Sequence, residues 1–237
     1  MNLADIISNE ESRLARFPIA REKIFLSHAA VTALPHCAAQ AMADYAYSSC
    51  KDHQEFPEFM ETMNETRRLS ANLIGAEFSE IALLGPTSLG LSLFAKGISW
   101  EPNDEVICYL DDYPANVYPW MELVRNNMGI IEKIDSCNEN SITEKLIDRI
   151  NEQVIAVAIP NIRWTDGYVL DLERISIACK NYDVKLILDL TQSAGAMEID
   201  LGKIKPDFAI IANYKWMLGP YSVSYTHLRA HETRGNI

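Results

Sequence analysis

A chain of 237 residues that is 48% hydrophobic and 23% charged has the make-up of a folded globular protein, which excludes a disordered, collagenous or low-complexity chain. Its 33 Asp and Glu against 21 Lys and Arg give a formal net charge of −12. That balance argues against a general binder of nucleic acid or anionic membrane, because phosphate contacts need clustered cations; one local cationic pocket is still allowed.

The opening stretch, MNLADIISNEESRLARF, is amphipathic and acidic, with no basic region followed by an apolar one, so it does not read as a signal peptide. Leu3, Ile6, Ile7 and Leu14 have helical spacing and predict one helix over residues 3–16. A short apolar step follows at Ile24–Leu26, then helical stretches over Pro35–Lys51 and Pro57–Ile74, each led by a proline. From there the pattern alternates. Apolar, β-rich runs fall at Ile81–Leu84, Glu105–Leu110, Ile130–Ile134, Val154–Ile159, Lys185–Leu190 and Phe208–Ala212. Helical segments separate them at Leu89–Ile98, Val117–Asn127, Ile142–Asn151 and Leu172–Tyr182. Runs apolar on both faces and divided by helices predict an α/β domain with a mostly parallel sheet, covered on both sides. The domain spans residues 25–222, after an N-terminal helical segment over 1–24.

Leu218–Val223 reads as a turn into a further strand, but SYTHLRAHETRGNI has no apolar period. It resembles the translated adapter-like sequence that ends some gene fragments. Residues 223–237 are therefore expected to be a non-native tail, outside the fold. The five cysteines, Cys37, Cys50, Cys108, Cys137 and Cys179, form no short pair and no cluster with histidine. Neither a disulfide framework nor a metal site is expected. The longest apolar runs, such as Val154–Pro160, are too short to span a bilayer, and the expectation is a reduced, cytoplasmic protein without membrane or nucleic-acid partners.

In parallel sheets ligands bind beyond the carboxyl ends of the strands, so the turns after the strands are where chemistry belongs. In Gly85-Pro86-Thr87-Ser88-Leu89-Gly90, hydroxyls and backbone N–H groups at a helix start can cradle an anion, or simply cap the helix. In Asp112-Tyr113-Pro114-Ala115-Asn116-Val117-Tyr118-Pro119-Trp120, an aromatic can stack on a planar ligand, or belong to the core. Asp189 closes an apolar strand ahead of Thr191, Gln192 and Ser193. A carboxylate there needs a positive or donor-rich partner, unless it caps the next turn. Lys215 emerges from a buried strand between Tyr214 and Trp216. Poor hydration there would lower its pKa and make a nucleophilic amine, whereas the plain alternative is a lysine snorkelling to the surface.

Taken in order, the Thr-Ser turn, Tyr-Pro-Ala-Asn-x-x-Pro-Trp, the segment Trp164–Leu172, Asp-x-x-Gln-Ser-x-Gly-Ala over Asp189–Ala196, and Tyr-Lys-Trp-Met-Leu-Gly-Pro resemble the class V aminotransferase family of pyridoxal 5′-phosphate enzymes. That family includes cysteine desulfurases, kynureninases and isopenicillin N epimerase-like proteins. The resemblance covers residues 24–222 and implies the large domain of fold type I, the aspartate aminotransferase-like fold, without its small C-terminal domain.

The resemblance also implies roles. Lys215 would hold pyridoxal 5′-phosphate through a Schiff base and serve as the catalytic base. Asp189 would pair with the pyridine nitrogen, Gln192 would hydrogen-bond the ring's phenolic oxygen, and Tyr113 would stack on the ring where many relatives have histidine. Thr87 and Ser88 would hold the phosphate. Tyr214 stands where relatives have a phosphate-binding histidine, and Ala212 replaces a common phosphate-binding serine. His28 and Ala29 resemble the family's Asn-His-Ala segment near the substrate, and Trp164 joins them on that side.

The implied function is an enzyme acting on a small amino acid, of transaminase or lyase type, as a cytoplasmic homodimer. A cysteine desulfurase is the alternative, weakened by Tyr113 where desulfurases usually carry histidine; the family's substrate-carboxylate arginine and the desulfurases' reactive cysteine belong to the small C-terminal domain, so specificity is not legible in this chain. A truncated, non-enzymatic fragment that keeps only the cofactor fold is the alternative from another class.

Overall fold

The computed structural model describes residues 3–53, 57–127, 130–133, 142–221 and 224–228. Its strands are β1 (Ile81–Leu84), β2 (Glu105–Cys108), β3 (Ile130–Lys133), β4 (Val154–Pro160), β5 (Lys185–Asp189), β6 (Phe208–Ala212) and β7 (Ser224–Leu228). The helices are α1 (Leu3–Ser8), α2 (Glu10–Arg16), α3 (Ile19–Glu22), α4 (His36–Ser48), α5 (Pro57–Ile74), α6 (Thr87–Gly97), α7 (Pro114–Asn127), α8 (Ile142–Ile147), α9 (Leu172–Asn181) and α10 (Leu201–Ile204).

The strands form one sheet of seven in the order β1-β7-β6-β5-β4-β2-β3. β2, β3, β4, β5 and β6 pair in parallel, and β7 runs antiparallel to both β6 and β1. β1 therefore points the same way as the parallel strands, and the turns after β1, β2, β4, β5 and β6 share one edge.

Why the strands read as unbroken apolar runs is visible in the packing. Val157 and Ile159 of β4, Leu186 and Leu188 of β5, and Ala209 and Ile211 of β6 enter one cluster with Ile74 of α5, Leu146 of α8 and Ile175 of α9. The residues between them, Ala156 and Ala158, Ile187, and Phe208 and Ile210, enter the other cluster with Leu91 of α6 and Trp120 of α7. Each strand alternates with period two, but both faces are apolar because helices cover both.

Two expectations are corrected. The helix over residues 3–16 is broken into α1 and α2, because the Asn9 side chain accepts the Ser12 N–H at 3.0 Å and caps a new start. The expectation of a tail outside the fold fails at Ser224–Leu228, which form β7 between β1 and β6. There the strand satisfies the facing backbone edges of both neighbours, and Tyr225 is buried in the first cluster. A polar sequence is tolerated in that slot, since His227 is within 3.2 Å of Glu80 and the Thr226 hydroxyl donates to the Ala82 carbonyl. Residues 229–237 lie outside the described residues, as does Cys137.

Gly195 locks the turn after β5 onto the turn after β6. Its φ is +86°, and a Cβ there would lie 2.6 Å from the Trp216 carbonyl oxygen. Gly195→Ala adds both backbone strain and a clash, so it should cost about 2 kcal/mol or more. For a domain of this size that lowers Tm by roughly 4–8 °C. An unchanged melting curve would mean the two turns are not seated on each other.

Candidate functional site

At the shared edge, Thr87, Asp112, Tyr113, Asp189, Thr191, Gln192, Tyr214 and Lys215 line one narrow cleft together with Pro160 and Ile162. Thr87, Tyr113 and Tyr214 also line a second cleft, of about 800 Å³, which runs between α6 and α7 and includes Ser88. Residues from the ends of five strands, β1, β2, β4, β5 and β6, thus meet.

Lys215 sits just beyond β6 and is only 8% exposed. Its Nζ lies 5.4 Å from the Tyr113 ring centroid and 5.9 Å from that of Tyr214. Burial lowers its pKa from the ordinary lysine value, against the smaller opposing pull of Asp189 and Asp112. Lower pKa means more neutral amine at neutral pH, which is the form with a lone pair to donate.

Asp189 closes β5 and is largely buried. Its Oδ1 accepts the Thr191 N–H at 2.9 Å. Burial raises its pKa, and the bonds from Thr191 and the field of Lys215 offset this only in part. Among the described residues no cationic side chain lies within 4 Å of this carboxylate. A buried acid in that condition is poised to receive a positive group from a ligand.

Thr87 and Ser88 open α6, and Pro86 takes the capping position with no side-chain cap. The helix begins two residues earlier than its apolar period indicated. Neither hydroxyl has a hydrogen-bond partner among the described residues, so the plain capping role does not use them. They stand at the positive end of an 11-residue helix, where the Leu89 N–H is taken by the Pro86 carbonyl at 2.9 Å.

Tyr113 is 41% exposed and meets Trp164 edge to face, with centroids 6.0 Å apart. Tyr214 packs on Tyr221 at 4.4 Å, and burial together with neighbouring phenols pushes its pKa up to about 12. Gln192 is tied at both ends. Its Nε2 donates to the Ala29 carbonyl at 3.0 Å, and its Oε1 accepts from Trp216 Nε1 at 2.9 Å.

The remaining expected residues flank the cleft instead of lining it. His28 pairs its Nδ1 with the Thr32 hydroxyl at 2.9 Å and packs on Trp216 at 5.6 Å. Ala29 enters through its carbonyl. Trp164 is half exposed, and its Nε1 donates to the Asp111 carbonyl at 3.2 Å.

The expected site residues did not include Asp112, Thr191 or Trp216. Asp112 belongs to the Asp-Tyr-Pro-Ala-Asn run, whose pattern implies no role for it. Its carboxyl is pushed up from 3.8 to about 6, first by burial and next by Asp189. A carboxyl with a raised folded-state pKa penalises folding once it ionises. The penalty is absent below about pH 4, grows through pH 6 and is complete near pH 7, where it amounts to about 3 kcal/mol. Denaturation of the parent and of Asp112→Asn across this range should show the parent losing that much relative to the variant. A constant difference from pH 4 to 7 would show that Asp112 does not carry the shift.

Among the described residues there is no group of His, Cys, Asp and Glu that could hold a metal ion, and no helix long and apolar enough to cross a membrane. Cys108 and Cys179 are buried, with thiols pushed up to about 12, while Cys37 and Cys50 are exposed. None of these four lines the cleft.

With this geometry in place, comparison with known proteins assigns the chain. The family model for aminotransferase class-V matches residues 24–231, and the chain belongs to that family. A probable cysteine desulfurase of Pyrococcus abyssi is 24% identical over 218 residues, covering 89% of this chain and 54% of that protein. The apo structure of a cysteine desulfurase from Thermococcus onnurineus NA1 superposes with a TM-score of 0.82 at 24% identity, over 92% of this chain and 56% of that one. A C-DES variant with glycine covalently linked to its PLP cofactor superposes with a TM-score of 0.84 at 18% identity, over 92% and 59%. The chain therefore has the fold of these enzymes and spans little more than half the length of the relatives it matches.

Proposed function

We propose that this protein is a pyridoxal 5′-phosphate-dependent enzyme acting on a small amino acid, with Lys215 as the residue that binds the cofactor covalently. The observation that carries the reading is the buried Lys215, with its lowered pKa, facing the same cleft as Asp189, a largely buried carboxylate with no cationic partner within 4 Å among the described residues. The open hydroxyls of Thr87 and Ser88 at the start of α6 suit a phosphate, and Tyr113, which lines both clefts, offers an aromatic face 5.4 Å from Lys215 Nζ. When bound, pyridoxal phosphate supplies an aldehyde that condenses with amines and a ring that withdraws electrons from the substrate's Cα.

The chain's own residues then divide the work. Asp189 holds a proton on the ring nitrogen through charge. Thr87 and Ser88 anchor the phosphate, while Tyr113 and Tyr214 wall the cleft and exclude water. Lys215 Nζ takes the proton from the substrate Cα and later returns it. Gln192 fixes the Ala29 segment and Trp216, which keeps the substrate side of the cleft in place.

A second reading, C–S bond cleavage in a cysteine-type substrate, is favoured by the names of the relatives. The test is to load the protein with pyridoxal phosphate and add L-amino acids one at a time while following the cofactor absorbance. A spectral change with at least one amino acid is expected, and no response to any of them would overturn the reading. Alanine formed from L-cysteine together with sulfane sulfur, released as sulfide only when a thiol reductant is added, would assign desulfuration. Pyruvate with equimolar ammonia and sulfide would assign C–S elimination. A keto acid formed without ammonia, with the cofactor converted to its pyridoxamine form, would assign transamination.

A further inference from the structure

We infer that Asp112 is a positioning residue of this site: it fixes Tyr113 over Lys215 and sets the charge that Lys215 experiences. The inference rests on the reading of the cleft as a pyridoxal-phosphate site, since that is what Tyr113 would stack upon.

Asp112 follows β2 and precedes α7. Its Oδ1 accepts the Tyr113 N–H at 2.7 Å, and its Oδ2 accepts from Asn116 Nδ2 at 2.6 Å. Its own N–H donates to the Tyr109 carbonyl at 3.1 Å, and the Asn116 N–H donates to the Tyr113 carbonyl at 2.8 Å. Tyr113 is thus held through its backbone by a carboxyl on one side and by a buried asparagine on the other. Trp164 closes it from the side at 6.0 Å, itself anchored on the Asp111 carbonyl.

The carboxyl also faces the cleft, alongside Lys215 and Asp189. The titratable groups around it are Cys108 at the end of β2, Tyr109 just after it, Asp111, Asp189 at the end of β5, and Lys215 beyond β6. Burial keeps Cys108 and Tyr109 neutral, and Arg163 holds Asp111 at 2.8 Å. The cleft itself therefore contains two acids facing one amine. When Asp112 is ionised it adds to Asp189 in favouring the protonated amine, and when Asp112 takes up a proton near pH 6 that support ends. The bond to the Tyr113 N–H weakens in the same step, because a neutral oxygen accepts less strongly than an anionic one. Stack and charge change together.

The test uses Asp112→Asn, Asp112→Ala and the parent, all free of cofactor, so that it does not depend on catalysis. Asn keeps the acceptor for Tyr113 and can pair with Asn116, whose Oδ1 has no partner. Competitive acetylation of Lys215, read by mass spectrometry against pH, should move to lower pH in both variants, with labelling at pH 8 faster by at least about twofold. A merely structural cap would leave the Asn variant on the parent curve, and that result would overturn the inference. Hydrogen exchange in residues 109–118 should rise in the Ala variant and stay near the parent in the Asn variant. Should either variant fail to fold, the parent suffices. Its Tyr113 amide resonance should titrate with the Asp112 carboxyl near pH 6, and a flat shift between pH 5 and 7 would overturn the inference. Lys215 could fail to bind the cofactor while this coupling is still seen, so the two readings fail separately.

Discussion

A Lys215→Ala protein is expected to bind pyridoxal phosphate without covalent attachment and to lose amino-acid turnover by at least roughly 10²–10⁴-fold, the usual contribution of a positioned base. The loss follows from position. Lys215 is the buried amine just beyond β6, its Nζ faces Tyr113 and Tyr214, and among the described residues no second lysine lines this cleft. Lys96, the other lysine near the anion end, lines only the wider cleft between α6 and α7. The change removes a buried ammonium's desolvation cost and also the positive field that offsets Asp189, so turnover is compared on protein whose melting curve shows it folded. A stable variant with parental turnover would remove Lys215 from the mechanism.

Asp189→Asn should separate stability from chemistry in the same way. Asn can still accept the Thr191 N–H, and it lacks the charge whose burial raises the Asp189 pKa. The cofactor-free variant should therefore melt at or above the parent temperature. Turnover should fall by roughly 10²–10³-fold, because a buried charge pair broken on one side costs about 3–5 kcal/mol and each tenfold in rate is about 1.4 kcal/mol. Retained turnover would return Asp189 to the plain role of capping Thr191.

Much of this was legible in the chain. β1 and β6 fall on the runs read from sequence because strands covered on both faces are apolar throughout, and the turns after them carry the chemistry by topology alone. Lys215 could be read as unusual from its flanks, since an apolar strand places whatever follows it at a buried edge. Other features depend on contacts that no local pattern encodes. Gln192 meets Ala29 across 163 positions and Trp216 across 24, so its tethering could not be inferred from the Asp-x-x-Gln spacing. β7 carries no apolar period, and its place is set by the two backbone edges it joins and by one buried tyrosine. The break at Asn9 turns on one side-chain hydrogen bond competing with helix continuation. Asp112 was hidden for a related reason: a carboxylate near a helix start is ordinary in sequence, and only packing against Asp189 and Lys215 makes it unusual.

The claim that Lys215 is the covalent anchor is tested most directly by adding pyridoxal phosphate, reducing with borohydride, digesting and mapping the modified peptide by mass spectrometry. The account predicts one reduced pyridoxyl group per chain, carried on Lys215 and absent from Lys215→Ala. Modification of Lys96 or any other lysine in its place, or no modification after saturation with cofactor, would contradict it.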